Sequence, residues 1–397
     1  MTATTVTPSV QQSITNLNAA WYNAVSAALR LDQSTFVLAQ GGLGIQGTDS
    51  SGLFLMSDSV PPSASVTMYQ PSGTSKFSSA YGTLLTALAP ETDPNGLQRE
   101  LGDMYASWAA YVKQYYQDHP DAVTPLVTVF SGWARGNLDP GRTARGVAVI
   151  EGSESDPLVQ ALRAMRCADH RQKFQQSDGT AYSLPRYTAT LDAARSAINQ
   201  GPSADLLFHS VTGDHTLRYT TERGAATGYY GIFGGSATES LRQLNEKSAF
   251  AEVTVEGRIG RYATLPTNPG AWFTSAEYTR AYHGRGDQRI WTSGATAGDW
   301  DSFFGQPTGA LARRVSGLVL VSDYMITVTS KASYTQAEFQ QIKAQATFGV
   351  WPFFCTTNSI ASKNEFQRND DGSISVTSTL EKGCIEIWGA NVLQAPS

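Results

Sequence analysis

Apolar residues in the first part of the chain recur at steps of three and four. Val10, Ile14, Leu17, Trp21, Val25 and Leu29 fall on one face of a helix over 9–30. Leu97, Leu101, Met104, Trp108, Val112 and Tyr115 predict another over 97–118, preceded by Asn95–Gly96 and closed by Pro120. Shorter helices are expected at 77–88, 156–166 and 188–199, the last ended by Gly201–Pro202. Residues 36–60 show no such period. A short apolar run, Phe36 to Ala39, leads into a glycine cluster and then a second run, Leu53 to Met56, which Pro61–Pro62 stops. Leu126–Phe130 and Val147–Ile150 read as buried strands or short buried segments.

Beyond residue 203 the period shortens to two. Ala251, Val253, Val255 and Ile259 alternate with Glu252, Thr254, Glu256 and Arg258, the pattern of a strand with one wet face. The β-branched run 318–329, Phe348–Cys355, Ser373–Leu380 and Cys384–Trp388 predict further strands, with turns at Asp371–Gly372 and Lys382–Gly383. One helix interrupts them at 336–347. Thr335 and Glu338 form its capping box, and Phe339, Ile342 and Ala346 share a face. The expected fold is α+β, with a helix-rich N-terminal half over 1–200 and a largely antiparallel, strand-rich C-terminal half over 203–397.

Composition narrows the partners. Of 397 residues 41% are hydrophobic and 10% aromatic, which is ample for a packed core. Only 16% are charged, against about 25% in an average domain, so Ser, Thr, Asn, Gln, Gly and Tyr must cover much of the surface. The net charge is −5 and no Lys/Arg-rich run occurs, which argues against a nucleic-acid partner. No apolar run approaches the ~18 residues of a membrane-spanning helix. The opening Met-Thr-Ala-Thr-Thr-Val-Thr-Pro lacks the basic start and apolar core of a secretory leader. Cys167, Cys355 and Cys384 are an odd set that suits a reducing compartment, with a Cys355–Cys384 bridge the one alternative. The expected location is the cytoplasm, or release without a classical signal peptide.

Several motifs offer chemistry, each with a structural explanation beside it. Gly42-Leu43-Gly44-Ile45-Gln46-Gly47 matches the dinucleotide glycine pattern, but no acid stands about 20 residues on, so a glycine turn is expected. His209 and His215, near Asp205 and Asp214, could share a metal only through an unusual spacing. Cys167-Ala168-Asp169-His170 places a thiol, a carboxylate and an imidazole together, at a helix end whose dipole disfavours a thiolate. Ser236, after Gly231-Ile232-Phe233-Gly234-Gly235, suits the N-cap of a polar helix over 238–246. Arg285-Gly286-Asp287 reads as an exposed turn. No cofactor and no metal are expected.

The strongest compositional anomaly lies at 272–304. Trp272, Phe273, Tyr278, Tyr282, Trp291, Trp300, Phe303 and Phe304 are interleaved with His283, Asp287, Asp299 and Asp301. Aromatic rings beside acceptors suit a sugar-binding groove, and equally the internal packing of a loop-rich segment. Trp272, Tyr282, His283, Asp287, Trp291, Asp299 and Trp300 are the candidate binding residues. The leading expectation is a non-enzymatic binding or self-assembling protein, a homo-oligomer of toxin or defence type acting at a glycan or membrane surface. A membrane strand needs about 9–11 residues, and the run 318–329 is long enough. The alternative is a hydrolase for a small molecule or glycan, with Asp287, Asp299 and Asp301 as acid and base.

Overall fold

The computed structural model describes residues 10–45, 49–61, 68–69, 75–93, 95–119, 124–175, 179–211, 239–292, 297–306, 308–345 and 362–395. The chain runs α1 (Val10–Ala28), β1 (Phe36–Ile45), α2 (Ser51–Ser57), β2 (Met68–Tyr69) and α3 (Phe77–Ala87). Five helices follow: α4 (Gly96–Leu101), α5 (Tyr105–Asp118), α6 (Leu126–Asn137), α7 (Pro140–Ser155) and α8 (Pro157–Arg166). Then come β3 (Arg171–Gln175), β4 (Ala181–Pro185), α9 (Leu191–Gln200), β5 (Ala204–His209), α10 (Glu239–Ala249) and β6 (Val253–Pro266). The chain continues with α11 (Ser275–His283), α12 (Ala297–Phe304), β7 (Arg313–Ser330), α13 (Gln336–Gln345), β8 (Ser362–Arg368), β9 (Ile374–Leu380) and β10 (Ile385–Gln394). The fold is α+β, with helices concentrated early and antiparallel strands late.

Two compact units form. The first comprises 1–80, 171–270 and 302–397, the second 81–170 and 271–301. The first unit is built on an eight-stranded sheet in which β7 is the spine. The first part of β7, Arg313–Ser322, pairs with β10, which pairs with β1, which pairs in parallel with β2. The second part, Met325–Ser330, pairs with β9, which pairs with β8. Along its other side β7 pairs with β6 over Gly317–Ser330, and β6 with β5.

Between the two parts of β7 both central strands change face. On β7 the residues facing the first core are Val319 and Val321, then Tyr324, Ile326 and Val328. The alternation slips at Asp323, whose φ is +55°. On β6 the same core receives Val253, Val255 and Ile259, then Tyr262. The slip there is at Gly260, where a Cβ would lie 2.6 Å from the Asp323 carbonyl oxygen. A side chain at 260 would collide with backbone, so this crossing requires glycine.

One face of the sheet is covered by α1, α10 and α13. Leu17, Trp21, Val25 and Leu29 of α1, Leu244 of α10, and Phe339 and Ile342 of α13 are buried on it. Trp21 meets Phe208 edge-on with ring centroids 6.0 Å apart, and Trp388 at 6.4 Å. Among the described residues the opposite face is covered over the first part of β7 only. There Leu53 and Met56 of α2 and Ala194 and Ile198 of α9 pack on Leu265, Leu318, Leu320, Ile385 and Ile387.

The second unit is helical. Trp108, Phe130 and Trp133 fill its centre with Leu101, Val129, Ala134 and Ile150. Gly146 of α7 lies so close to Phe130 that an added Cβ would sit 2.5 Å from the ring. Asp156 caps α8 by accepting from the Leu158 amide, and it also accepts from the amide and hydroxyl of Thr92.

Three expectations change. Leu126–Phe130 and Val147–Ile150 lie inside α6 and α7 instead of forming strands. Pro140 follows an Asp139 cap that accepts from the Arg142 amide, and this start signal lies outside the short apolar window. The helix expected at 97–118 is broken by a 3₁₀ turn over Gly102–Met104, where Gly102 has φ +48°. Gly42 and Gly44 continue β1 instead of turning, and the register with β10 shifts between Leu38 and Leu43, as glycines in a strand permit. The Phe348–Cys355 strand and Cys355 itself lie outside the described residues. Cys167 and Cys384 carry free thiols. Among the described residues no helix is long and apolar enough to cross a membrane.

Candidate functional site

The segment 272–304 supplies α11, a 3₁₀ turn over Gln288–Ile290, and α12. Its large rings turn inward. Trp272, Tyr278, Trp291 and Trp300 are buried. Tyr81 stands 4.8 Å from Phe273 and 6.0 Å from Trp272, centroid to centroid. Its hydroxyl donates to the Thr274 carbonyl and accepts from the Thr274 amide, and burial pushes it up to about 12. The indoles spend their hydrogen-bond donors locally: Trp291 on the Gly284 carbonyl and Trp300 on the Tyr282 carbonyl, each at 2.9 Å.

Some of the sequence candidates do meet. Tyr282 lies 5.7 Å from Trp300 and 5.3 Å from His283. The Arg285 guanidinium covers the Trp300 face at 4.6 Å and pairs with Asp301 at 3.0 Å. A flat sugar face would need that indole surface, and Arg285 occupies it. Asp287 is held by both nitrogens of the Arg289 fork, and this pairing lowers its pKa to about 2. Asp299 is half-buried beside Trp300. Trp272 sits apart with Tyr81 and Phe273. In the same unit Glu277, which sequence reading missed, is buried. Burial raises its pKa although Arg280 donates to it at 2.5 Å.

The buried polar groups around Asp58, Tyr334 and Glu386 find partners within the first unit. Asp58 accepts from the amide and hydroxyl of Ser78 and from the Tyr187 hydroxyl, each at 2.8 Å. Burial raises its pKa, and these donors partly offset the rise. Ser248 and Ser330 both bond to the Tyr334 hydroxyl. Glu386 lies among apolar neighbours on the α1 side of the sheet, where burial raises its pKa.

The sheet also presents a surface that the sequence reading caught only in part. Over the second part of β7 the strand order is β8-β9-β7-β6-β5. Side chains facing away from α1 form three cross-sheet rows. Asp205, Arg258, Met325, Thr379 and Lys363 stand in the first, and Leu207, Glu256, Thr327, Thr377 and Glu365 in the second. His209, Thr254, Thr329, Ser375 and Gln367 form the third. Thr327 bonds to Thr377 and Thr329 to Ser375, each at 2.9 Å, so the central hydroxyls answer one another. Leu207 is 72% exposed and Met325 60%. Glu256 and Arg258 are exposed as the alternation predicted. Thr254 is buried, and Glu252, just ahead of β6, reaches His209 at 3.2 Å. The signal for Leu207 and Met325 was present as a period of two, but nothing in it marks which face is uncovered.

The remaining motifs resolve simply. His170 turns its Nδ1 to the Ala164 carbonyl at the end of α8, away from a role at Cys167. His215, the 231–236 loop and Gln46–Gly47 lie outside the described residues. Among the described residues, no group of three or more His, Cys, Asp or Glu side chains could hold a metal ion. Comparison of the chain with protein-family models, with curated proteins and with solved structures found no match in any of the three.

Proposed function

We propose that the protein is a non-enzymatic self-assembling protein, and that the open half of its sheet face is the association surface. The observation that carries this reading is the exposure of Leu207 and Met325 within ordered rows of hydroxyls and charges. Sheets ordinarily bury one face and may wet the other, but large apolar side chains on the wet face favour contact with a partner. The alternative hydrolase reading needs a carboxyl that keeps its proton beside one that loses it. Asp287 is clamped by the Arg289 fork and Asp301 pairs with Arg285, so both carboxylates are already engaged by cations. These pairings support the non-enzymatic reading.

Sedimentation velocity from about 1 μM to about 100 μM tests it, since weak protein contacts titrate there. The wild type should shift to a faster species as concentration rises, and Met325→Glu should remain at the slow limit with an unchanged thermal midpoint. A wild type that sediments at one rate throughout overturns the proposal. So does a Met325→Glu variant that associates as the wild type does.

A further inference from the structure

Glu386 is 3% exposed and stands on the α1 side of the sheet, in the cross-strand row Gly44, Glu386, Val321 and Tyr262. Its Oε2 accepts from the Tyr324 hydroxyl at 2.9 Å and from the Trp388 indole at 3.3 Å. Both donors are neutral. A carboxylate withdrawn from water needs a cation or several strong donors, and two neutral ones meet only part of that need. Among the described residues the surroundings supply no cation. Cys384 lies two residues before it, Tyr324 reaches it from β7, Tyr262 shares its row from β6, and Gly44 of β1 has no side chain. Glu381 and Lys382, in the turn ahead, are exposed. The face that α1 turns to the sheet carries Leu17, Trp21, Tyr22, Val25 and Leu29. The Tyr22 hydroxyl is engaged by the Gln33 and Phe36 carbonyls, and Arg30 and Asp32 beyond the helix are exposed. Trp21 lies 6.4 Å from Trp388, and Trp388 5.6 Å from Tyr324, centroid to centroid, so α1 rests on both of the donors' rings as one stack. Two routes could bring water to the carboxyl. Parting β7 and β10 breaks backbone ladders on both sides of each strand. Lifting α1 breaks side-chain packing and leaves the ladders whole, and elements held in that way open at lower free energy.

We infer that Glu386 is a pH-sensitive fastener for α1: the helix stays down on the sheet while the carboxyl carries its proton, and lifts more readily once the proton has left. Burial pushes the Glu386 carboxyl up from the ordinary glutamate range, which is the direction the device requires. With α1 lifted the carboxyl is hydrated and titrates near the ordinary value of about 4.3. Between that value and the raised one, the packed form holds a proton that the lifted form has lost. The packed form is therefore favoured in acid, and its advantage falls as pH rises. Above the raised value both forms are ionised and the dependence ends. Lifting exposes Leu17, Trp21, Val25 and Leu29 together with Phe208 and Trp388, an apolar surface that the packed form hides. The device lies on the side of the sheet opposite the open half-face, and it does not depend on the self-assembly reading.

Amide hydrogen exchange of the full chain, read by mass spectrometry from about pH 5 to about pH 8, tests it. Division by the intrinsic exchange rate gives an opening constant for each peptide. For α1 this constant should exceed that of β7 and β10 by on the order of a hundredfold at every pH, because the helix opens without the strands. It should also rise with pH by up to about tenfold per unit before it levels off. Glu386→Gln and Glu386→Met each remove the proton, and in either variant the α1 constant should be flat across the range. The comparison of α1 with the strands in the wild type decides the matter even if neither variant folds. An α1 constant equal to that of β7 and β10 overturns the inference, since the helix then opens only by global unfolding. So does an α1 constant that is larger but flat in the wild type, or a rise that persists in a folded variant.

Discussion

Tyr324 donates its phenol hydrogen to Oε2 of Glu386 at 2.9 Å, inside the core between α1 and the sheet. The Trp388 indole donates to the same oxygen at 3.3 Å. Among the described residues no basic side chain acts on the carboxyl, and burial favours its protonated form. A glutamate whose folded-state pKa is raised adds stability below its unfolded value and loses it as pH rises toward the folded value. Glu386→Gln keeps an acceptor for Tyr324 and removes the proton linkage. The variant should be more stable than the wild type at neutral pH. Its advantage should begin near the ordinary glutamate value of about 4.3 and grow upward by as much as about 1.4 kcal/mol per pH unit. Urea unfolding at pH 4 and pH 7 checks it, and an advantage equal at both would refute the linkage.

Trp21 is among the largest fully buried side chains and joins α1 to both Phe208 and Trp388. Trp21→Ala should cost about 3–5 kcal/mol. Chemical denaturation followed by the remaining tryptophans gives the value. A loss below about 1 kcal/mol would mean that α1 does not seal the sheet.

At Gly146 two effects compete. Alanine in a helix interior gains about 1 kcal/mol over glycine. The new Cβ would meet the Phe130 ring at 2.5 Å, and Phe130 is fully buried against Trp108 and Trp133. Overpacking of about 1–3 kcal/mol should win, so Gly146→Ala should lower the thermal midpoint. Gly152 on the same helix has open space around it, and Gly152→Ala should raise the midpoint. If both substitutions stabilise, the close approach of α6 and α7 is not tight.

Signals carried within a few residues were legible in the sequence. The capping box at Thr335 and Glu338 forms in both directions, amide to carboxylate at 2.7 Å and amide to hydroxyl at 3.2 Å. Gly372 and Gly383 take positive φ where turns were expected. The stripe on α1 buries Leu17, Trp21, Val25 and Leu29 as its period required. Two kinds of information were not legible. One is which strand lies beside which, since the pairing of β1 with β10 leaves no local trace. The other is the slip of alternation at Asp323. The run 318–329 reads as one continuous buried strand. A non-glycine residue at positive φ reverses the faces midway and turns Met325 outward. The candidate surface exists because of that reversal, and residue type alone does not announce it.

The strand between β1 and β7 is β10, which follows both in the chain. During synthesis the N-terminal strand therefore waits for its neighbour until residues 385–394 have left the ribosome. Until then Val319, Leu320 and Val321 border an unpaired edge, the kind of template on which nascent chains join one another. Closure of the first unit depends on contacts between residues far apart in sequence, and such contacts form slowly. The helical unit, complete by residue 301, can settle earlier. A chaperone that shields this edge on the nascent chain should therefore raise the yield of folded protein.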